Sequence, residues 1–252
     1  MSSYDVDLNA LFEKLFKHYL EPEFHDVLSK EKDYIIERKT TEFLDEYLAS
    51  LIQGHINIEA SSKLNIYIKE ILEDEWFLQW PLVRWAYASR ILNGVAYRKN
   101  KKKAIEILLP LAQEGCPNAL YDIGYCYRYG EGLERNYEKA ICLWILSCNW
   151  GYYLAYEKLE WEHHLKEYKK LGDELRFFFL LQLILGFVRE YGLKVENGVI
   201  NTEGLNETNS KTLRKFLYEY NSLKKIIVEK AWLRETADIF WAEDDNLYKI
   251  NF

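Results

Sequence analysis

The residues able to do chemistry are present in this chain, but their spacing brings few of them together. Glu160, His163, His164 and Glu167 form the densest cluster. Glu160 and His164 share a helical face at i, i+4, and so do His163 and Glu167. A zinc site takes more converging ligands than either pair offers, and the motif is not HExxH. The pattern predicts a solvated helix face and no metal. His18, His25 and His55 are scattered, with no motif around them. The four cysteines, Cys116, Cys126, Cys142 and Cys148, include no CxxC pair and no zinc-finger spacing. They are expected to be free thiols packed as small apolar groups. Cys116 follows Gly115 in a predicted turn, so it is the thiol expected near solvent and the candidate for reactivity.

Carboxylates are plentiful, as in Glu73-Asp74-Glu75 and Glu243-Asp244-Asp245. Adjacent acids on a helix point in different directions and make poor general acid/base pairs. No phosphate-cradling glycine loop is present; the glycines of YGEGLERN fit an interhelical turn. The basic run Arg98, Lys99, Lys101, Lys102 and Lys103 lies in a turn and at a helix start. Cations there oppose the helix dipole, which favours an acidic contact, the chain's own N-terminal third included. These observations name no catalytic residue and no cofactor.

The elements that would position such residues are more informative. RKNKKKAIEILLPLAQEG (98–115) and ERNYEKAICLWILSCNWG (134–151) align at an offset of 36 residues. Asn100 matches Asn136, Lys103-Ala104-Ile105 matches Lys139-Ala140-Ile141, and Gly94, Gly115 and Ala119 match Gly130, Gly151 and Ala155. Residues 118–129 put Ala119, Leu120, Ile123, Gly124 and Tyr127 on one helical face. Gly130-Glu131-Gly132 stops that helix and Asn136 caps the next. Ala140, Ile141, Trp144, Ile145 and Cys148 then recur at i, i+3/i+4. Each unit is a helical hairpin that cannot cover its own apolar face, so units must stack.

On these residues the chain resembles the Sel-like repeat family, relatives of the tetratricopeptide repeat. The resemblance is carried by Ala119, Ile123, Gly124, Tyr127, Gly130, Gly132, Leu133, Asn136, Lys139, Ala140, Trp144, Ser147, Cys148 and Gly151. A weaker unit at 81–115 keeps Ala88, Gly94, Lys103, Ala104, Ala112 and Gly115, lacks the second loop glycine, and carries Pro110 where a kink is expected. A third begins near Ala155 and loses the glycines. The resemblance implies an all-α fold, a short right-handed superhelix of helical hairpins, and a scaffold role in complex assembly. It also puts Cys148 where the family packs a small alanine.

Other helices flank the repeats. Leu8, Leu11, Phe12, Leu15, Phe16 and Tyr19 form one stripe, Phe43 to Leu51 a second that Gly54 could end, and Leu64 to Leu72 a third. Helices are predicted over about 153–168 and 173–191 and from Ser210 to about Trp241, the last facing inward through Leu213, Phe216, Leu217, Tyr220, Leu223 and Ile227. LKVENGVINT (193–202), around Asn197-Gly198, predicts a β-hairpin or an irregular loop. The tail beyond Glu243 would fray or dock through Tyr248 and Phe252. With no linker in sight, residues 1–252 read as one domain: N-terminal helices 1–80, repeats 81–155, and degenerate repeat with capping helices 156–252.

Charge bears on partners. The net charge is -7, and residues 1–80 alone hold 17 Asp+Glu against 8 Lys+Arg. That balance argues against nucleic acid and favours a basic protein partner. MSSYDVDLNA lacks the basic and apolar regions of a signal peptide, and the longest apolar run, Phe177 to Val188, is short for a membrane span. A cytoplasmic protein without a membrane partner is expected. The surface predicted to meet a polypeptide lies on the first helix of each unit: Arg84, Tyr87 and Arg90, then Tyr121, Asp122, Tyr125 and Arg128. Either a non-enzymatic adaptor or a bacterial immunity protein that neutralises a basic toxin fits this reading. The rival is an enzyme of unknown class, which would show a deep pocket of converging titratable groups.

Overall fold

Four helices of equal length repeat at the 36-residue offset. They are α1 (Pro81–Asn93), α2 (Lys101–Gln113), α3 (Pro117–Tyr129) and α4 (Tyr137–Asn149). The computed structural model describes residues 81–233 except Ala96, Asn197 and Gly198, together with Glu13, Lys17, His18, Glu21, Pro22, Leu78, Lys249 and Ile250. The three N-terminal stripes, the helix end after Leu233 and the tail contacts of Tyr248 and Phe252 lie outside the described residues.

The loops repeat as closely as the helices. Asn100 Oδ1 accepts the Lys103 amide at 3.1 Å and Asn136 Oδ1 accepts that of Lys139 at 2.9 Å. The Asn100 amide reaches back to the Ile91 carbonyl, and the Asn136 amide to that of Tyr127. Both asparagines thus cap the second helix of a hairpin and tie it to the end of the first. α3 closes on Gly130 in the left-handed region, at φ 69°. α2 runs on through Pro110 to Gln113, and the Pro110 carbonyl still accepts the Glu114 amide.

Small residues set the spacing within the second hairpin. A Cβ on Gly124 would stand 2.6 Å from Nε1 of Trp144, so the indole lies directly on the α3 backbone. Its N–H donates to the Tyr121 carbonyl at 3.0 Å, which spares a buried donor the cost of going unpaired. Ser147 donates to the Pro117 carbonyl at 2.7 Å. Ala104, Ala119, Ala140, Leu108, Leu111 and Ile123 are fully buried around these contacts.

The described contacts divide the chain into two compact units, residues 20–152 and residues 1–19 with 153–252. The second unit contains α5 (Tyr153–His163), a 3-10 turn (Tyr168–Lys170), α6 (Asp173–Glu190), β1 (Val195–Glu196), β2 (Val199–Ile200), α7 (Glu207–Leu233) and β3 (Lys249–Ile250). α5 and α6 start 36 residues after α3 and α4, so the repeat spacing outlasts its glycines. α5 stops at His163, short of the expected 168. The chain then turns to sink Tyr168 beside His163 and Phe179, with ring centroids 4.7 and 4.8 Å away. α7 begins at Glu207 rather than Ser210, because Asn206 accepts the Asn209 amide and supplies the cap. Its predicted inward residues, Leu213 to Ile227, are all buried. The hairpin forms at the expected place, β1 antiparallel to β2, and β3 adds to β2 in parallel. The described residues are thus an all-α repeat architecture carrying one very small sheet.

Candidate partner-binding face

The seven predicted contact residues separate by depth. Tyr125 is open to solvent, Arg84, Tyr87 and Tyr121 are half-buried, and Arg90, Asp122 and Arg128 are buried. The buried three act inside the unit. Asp122 accepts the Trp85 indole N–H at 2.8 Å, joining α3 to α1, and it is also hydrogen-bonded by Ser89. Burial pushes its carboxyl up to about 6. The Arg90 side chain is 6% exposed, and its Nη1 has no acceptor. Burial lowers its pKa. The Arg128 guanidinium lies over the Tyr137 ring, 4.6 Å from the centroid, and 5.6 Å from that of Tyr129. Such cation–π packing steadies a buried guanidinium against the faces of aromatic rings.

What remains at the surface is aromatic. Tyr121, Tyr125 and Tyr129 follow one another at i, i+4, i+8 along α3 and share a face. Tyr121 packs its ring against Trp144 and Tyr152, while Tyr125 and Tyr129 stand 38% and 42% exposed with centroids 4.5 Å apart. Tyr129 was missing from the sequence reading, although its spacing from Tyr125 is the signal that finds it. On α1, Arg84 pairs with Glu114 at 3.2 Å, and the Tyr87 hydroxyl accepts from Lys103 Nζ at 2.7 Å.

Part of the basic run finds its acidic contact within the repeats. Lys101 and Lys99 reach Glu131, in the glycine turn of the second repeat, at 2.5 and 3.7 Å. Glu21, from the acidic N-terminal third, instead takes Lys139 and the Tyr127 hydroxyl.

Cys116 is a correction: it is 1% exposed, and burial pushes its thiol up to about 11. It occupies the cap position before Pro117, where the chain has already re-entered the core. Cys126 is pushed up to about 12, Cys142 rises further, and both are buried free thiols, as is Cys148. The Glu160–Glu167 cluster is not one solvated face either. Because α5 ends at His163, His163 and Glu167 share no helical turn. His163 is buried against Tyr168, Phe179 and Phe216, while His164 is exposed. Among the described residues no group of three or more His, Cys, Asp or Glu is placed to hold a metal ion, and no helix is long and apolar enough to cross a membrane. His25, His55 and the two acidic triplets lie outside the described residues.

No family model matches the sequence, and no curated protein matches it. Among solved structures, the crystal structure of a Sel1 repeat protein from Oxalobacter formigenes is similar, at 15% identity over 72% of this chain and 76% of that one, with a TM-score of 0.38. The repeat architecture stands on the chain's own helices, turns and caps.

Proposed function

We propose that this chain is a non-enzymatic, cytoplasmic protein-binding module, an adaptor or regulator that receives a partner polypeptide on the first helices of its repeats. The exposed Tyr125–Tyr129 pair carries the reading. Tyrosines bury a large area at low conformational cost; here Arg128 packs against the Tyr129 ring, and Tyr125 packs against Tyr129. Arg84, Tyr87 and Tyr121 extend the face at half depth. Asp122, Arg90 and Arg128 support it from within. The buried, proton-retaining thiols argue against a cysteine nucleophile.

The test compares capture from the native organism by the unaltered chain and by Y125A/Y129A. Loss of two aromatic anchors is expected to weaken retention of a specific partner at least about tenfold, with the helical circular-dichroism signal unchanged. Equal retention by both would reject this face. The acidic N-terminal third supports a second reading, an immunity protein steered onto a basic toxin. On that reading, inhibition of a nuclease domain encoded beside this gene weakens steeply with salt, whereas an adaptor leaves such a domain active.

A further inference from the structure

Within the second unit, a cleft of about 550 Å³ opens where the end of α5, the 3-10 turn, the first turn of α6 and the middle of α7 meet. That volume lies in the range of small-molecule sites. Its walls are mostly apolar, and Tyr168 and Tyr218 are among the residues that line it.

The charges in it do not cancel. Glu219 accepts a hydrogen bond from Arg176 and another from the Tyr168 hydroxyl at 2.9 Å, so this carboxylate and this guanidinium satisfy each other. Lys169 and Lys215 also line the cleft, and neither has a carboxylate partner among the described residues. Two ammonium charges are left over. His163 lines the cleft as well and is 7% exposed. Its Nδ1 has no hydrogen-bond partner, and its Nε2 lies 3.5 Å from Glu219 Oε2, at the outer limit of a bond. A buried imidazole without a firm partner, beside two uncompensated ammonium groups, is costly unless something polar completes it.

We propose that this cleft binds a small organic phosphate, its phosphoryl group seated between Lys169 and Lys215 and its organic part covered by Tyr168 and Tyr218. A dianion matches two ammonium charges, which bind phosphate as point charges without a fixed fork geometry. The apolar walls and the volume suit a ligand of mononucleotide size more than a bare ion. His163 supplies one further donor to the bound oxyanion.

Calorimetric titration of the full chain with AMP tests this. AMP is expected to bind, inorganic phosphate to compete, and adenosine to bind at least about tenfold more weakly. K169Q and K215Q, both on exposed side chains, should each weaken AMP binding about tenfold and keep the circular-dichroism spectrum. No heat with millimolar AMP, equal affinity for adenosine, failure of phosphate to compete, or unchanged affinity in both variants would each overturn the proposal. A phosphoserine peptide that binds more tightly than AMP would overturn the small-ligand assignment.

Discussion

The hairpins α3–α4 and α5–α6 begin their helices at the same 36-residue offset yet are held together in opposite ways. In α3–α4 the glycine is on the first helix and the large ring on the second, Gly124 beneath Trp144. In α5–α6 the ring is on the first helix and the glycine on the second: a Cβ on Gly186 would stand 2.1 Å from the Tyr156 ring. The turn differs too. Gly130 and Gly132 correspond by position to Lys166 and Tyr168. A buried tyrosine in place of a left-handed glycine removes the tight turn, ends α5 early, and leaves room for the cleft beside His163. Helix phase therefore survives the loss of turn chemistry, while the space between helices is rebuilt around whichever small residue allows close approach.

Substituting the two contact glycines should break this comparison most sharply. Alanine normally favours a helix over glycine by about 1 kcal/mol. At Gly186 the added methyl would overlap an aromatic ring with little room to move, since Tyr156 is itself buried. Gly186→Ala is expected to cost about 3 kcal/mol in urea denaturation, and Gly124→Ala somewhat less, its clash being 2.6 Å rather than 2.1 Å. Pairing Gly186→Ala with Tyr156→Leu should recover part of the loss. If Gly186→Ala stabilises the protein, the helices do not meet through that glycine.

The turn glycines offer a smaller test. Gly132 has φ 83°, and its Cβ would meet Ile105 Cδ1 at 2.6 Å; Gly192 has φ 59° and open space around it. Gly132→Ala is expected to cost about 2 kcal/mol, backbone strain plus crowding, and Gly192→Ala about 1 kcal/mol from strain alone. Equal losses would show that the turn of the second repeat is not braced against α2.

These differences explain what could be read before the fold was known. The starts of α5 and α6, the Asn136 cap and the pairing of β1 with β2 follow from local residue types, because each is decided within a few positions of chain. The interior of the α1–α3 face does not. Asp122 is satisfied by Trp85, a residue 37 positions earlier, and Arg128 by rings at 129 and 137. Polar residues at helix positions that face a neighbouring helix look, in sequence, like polar residues facing water. Cys116 misleads for the same reason, since a residue after a turn glycine has already returned to the core. The cleft draws on α5, the 3-10 turn, α6 and α7, and no spacing rule links His163 to Lys215 and Glu219.

Asp122 sharpens the comparison at its smallest scale. Its counterpart 36 residues on is Lys158, which pairs with Glu162 of its own helix at 3.2 Å and lies over the Trp161 ring. The same register position thus joins two helices in the first unit and forms a pair along its own helix in the second. The cross-helix solution carries a pH signature. The Asp122 carboxyl is pushed up to about 6 in the folded chain from an ordinary 3.8, so the folded state holds its proton more tightly than the unfolded state does. That advantage is complete below about pH 4 and is lost as pH rises through about 6. Asp122→Asn keeps an oxygen to accept the Trp85 indole but cannot ionise. Between pH 4 and pH 7.5 the unaltered chain should therefore lose about 1–2 kcal/mol of stability relative to Asp122→Asn, as read from urea midpoints. Parallel profiles for the two proteins would mean that the carboxylate is ionised throughout this range and that the α1–α3 contact is solvated.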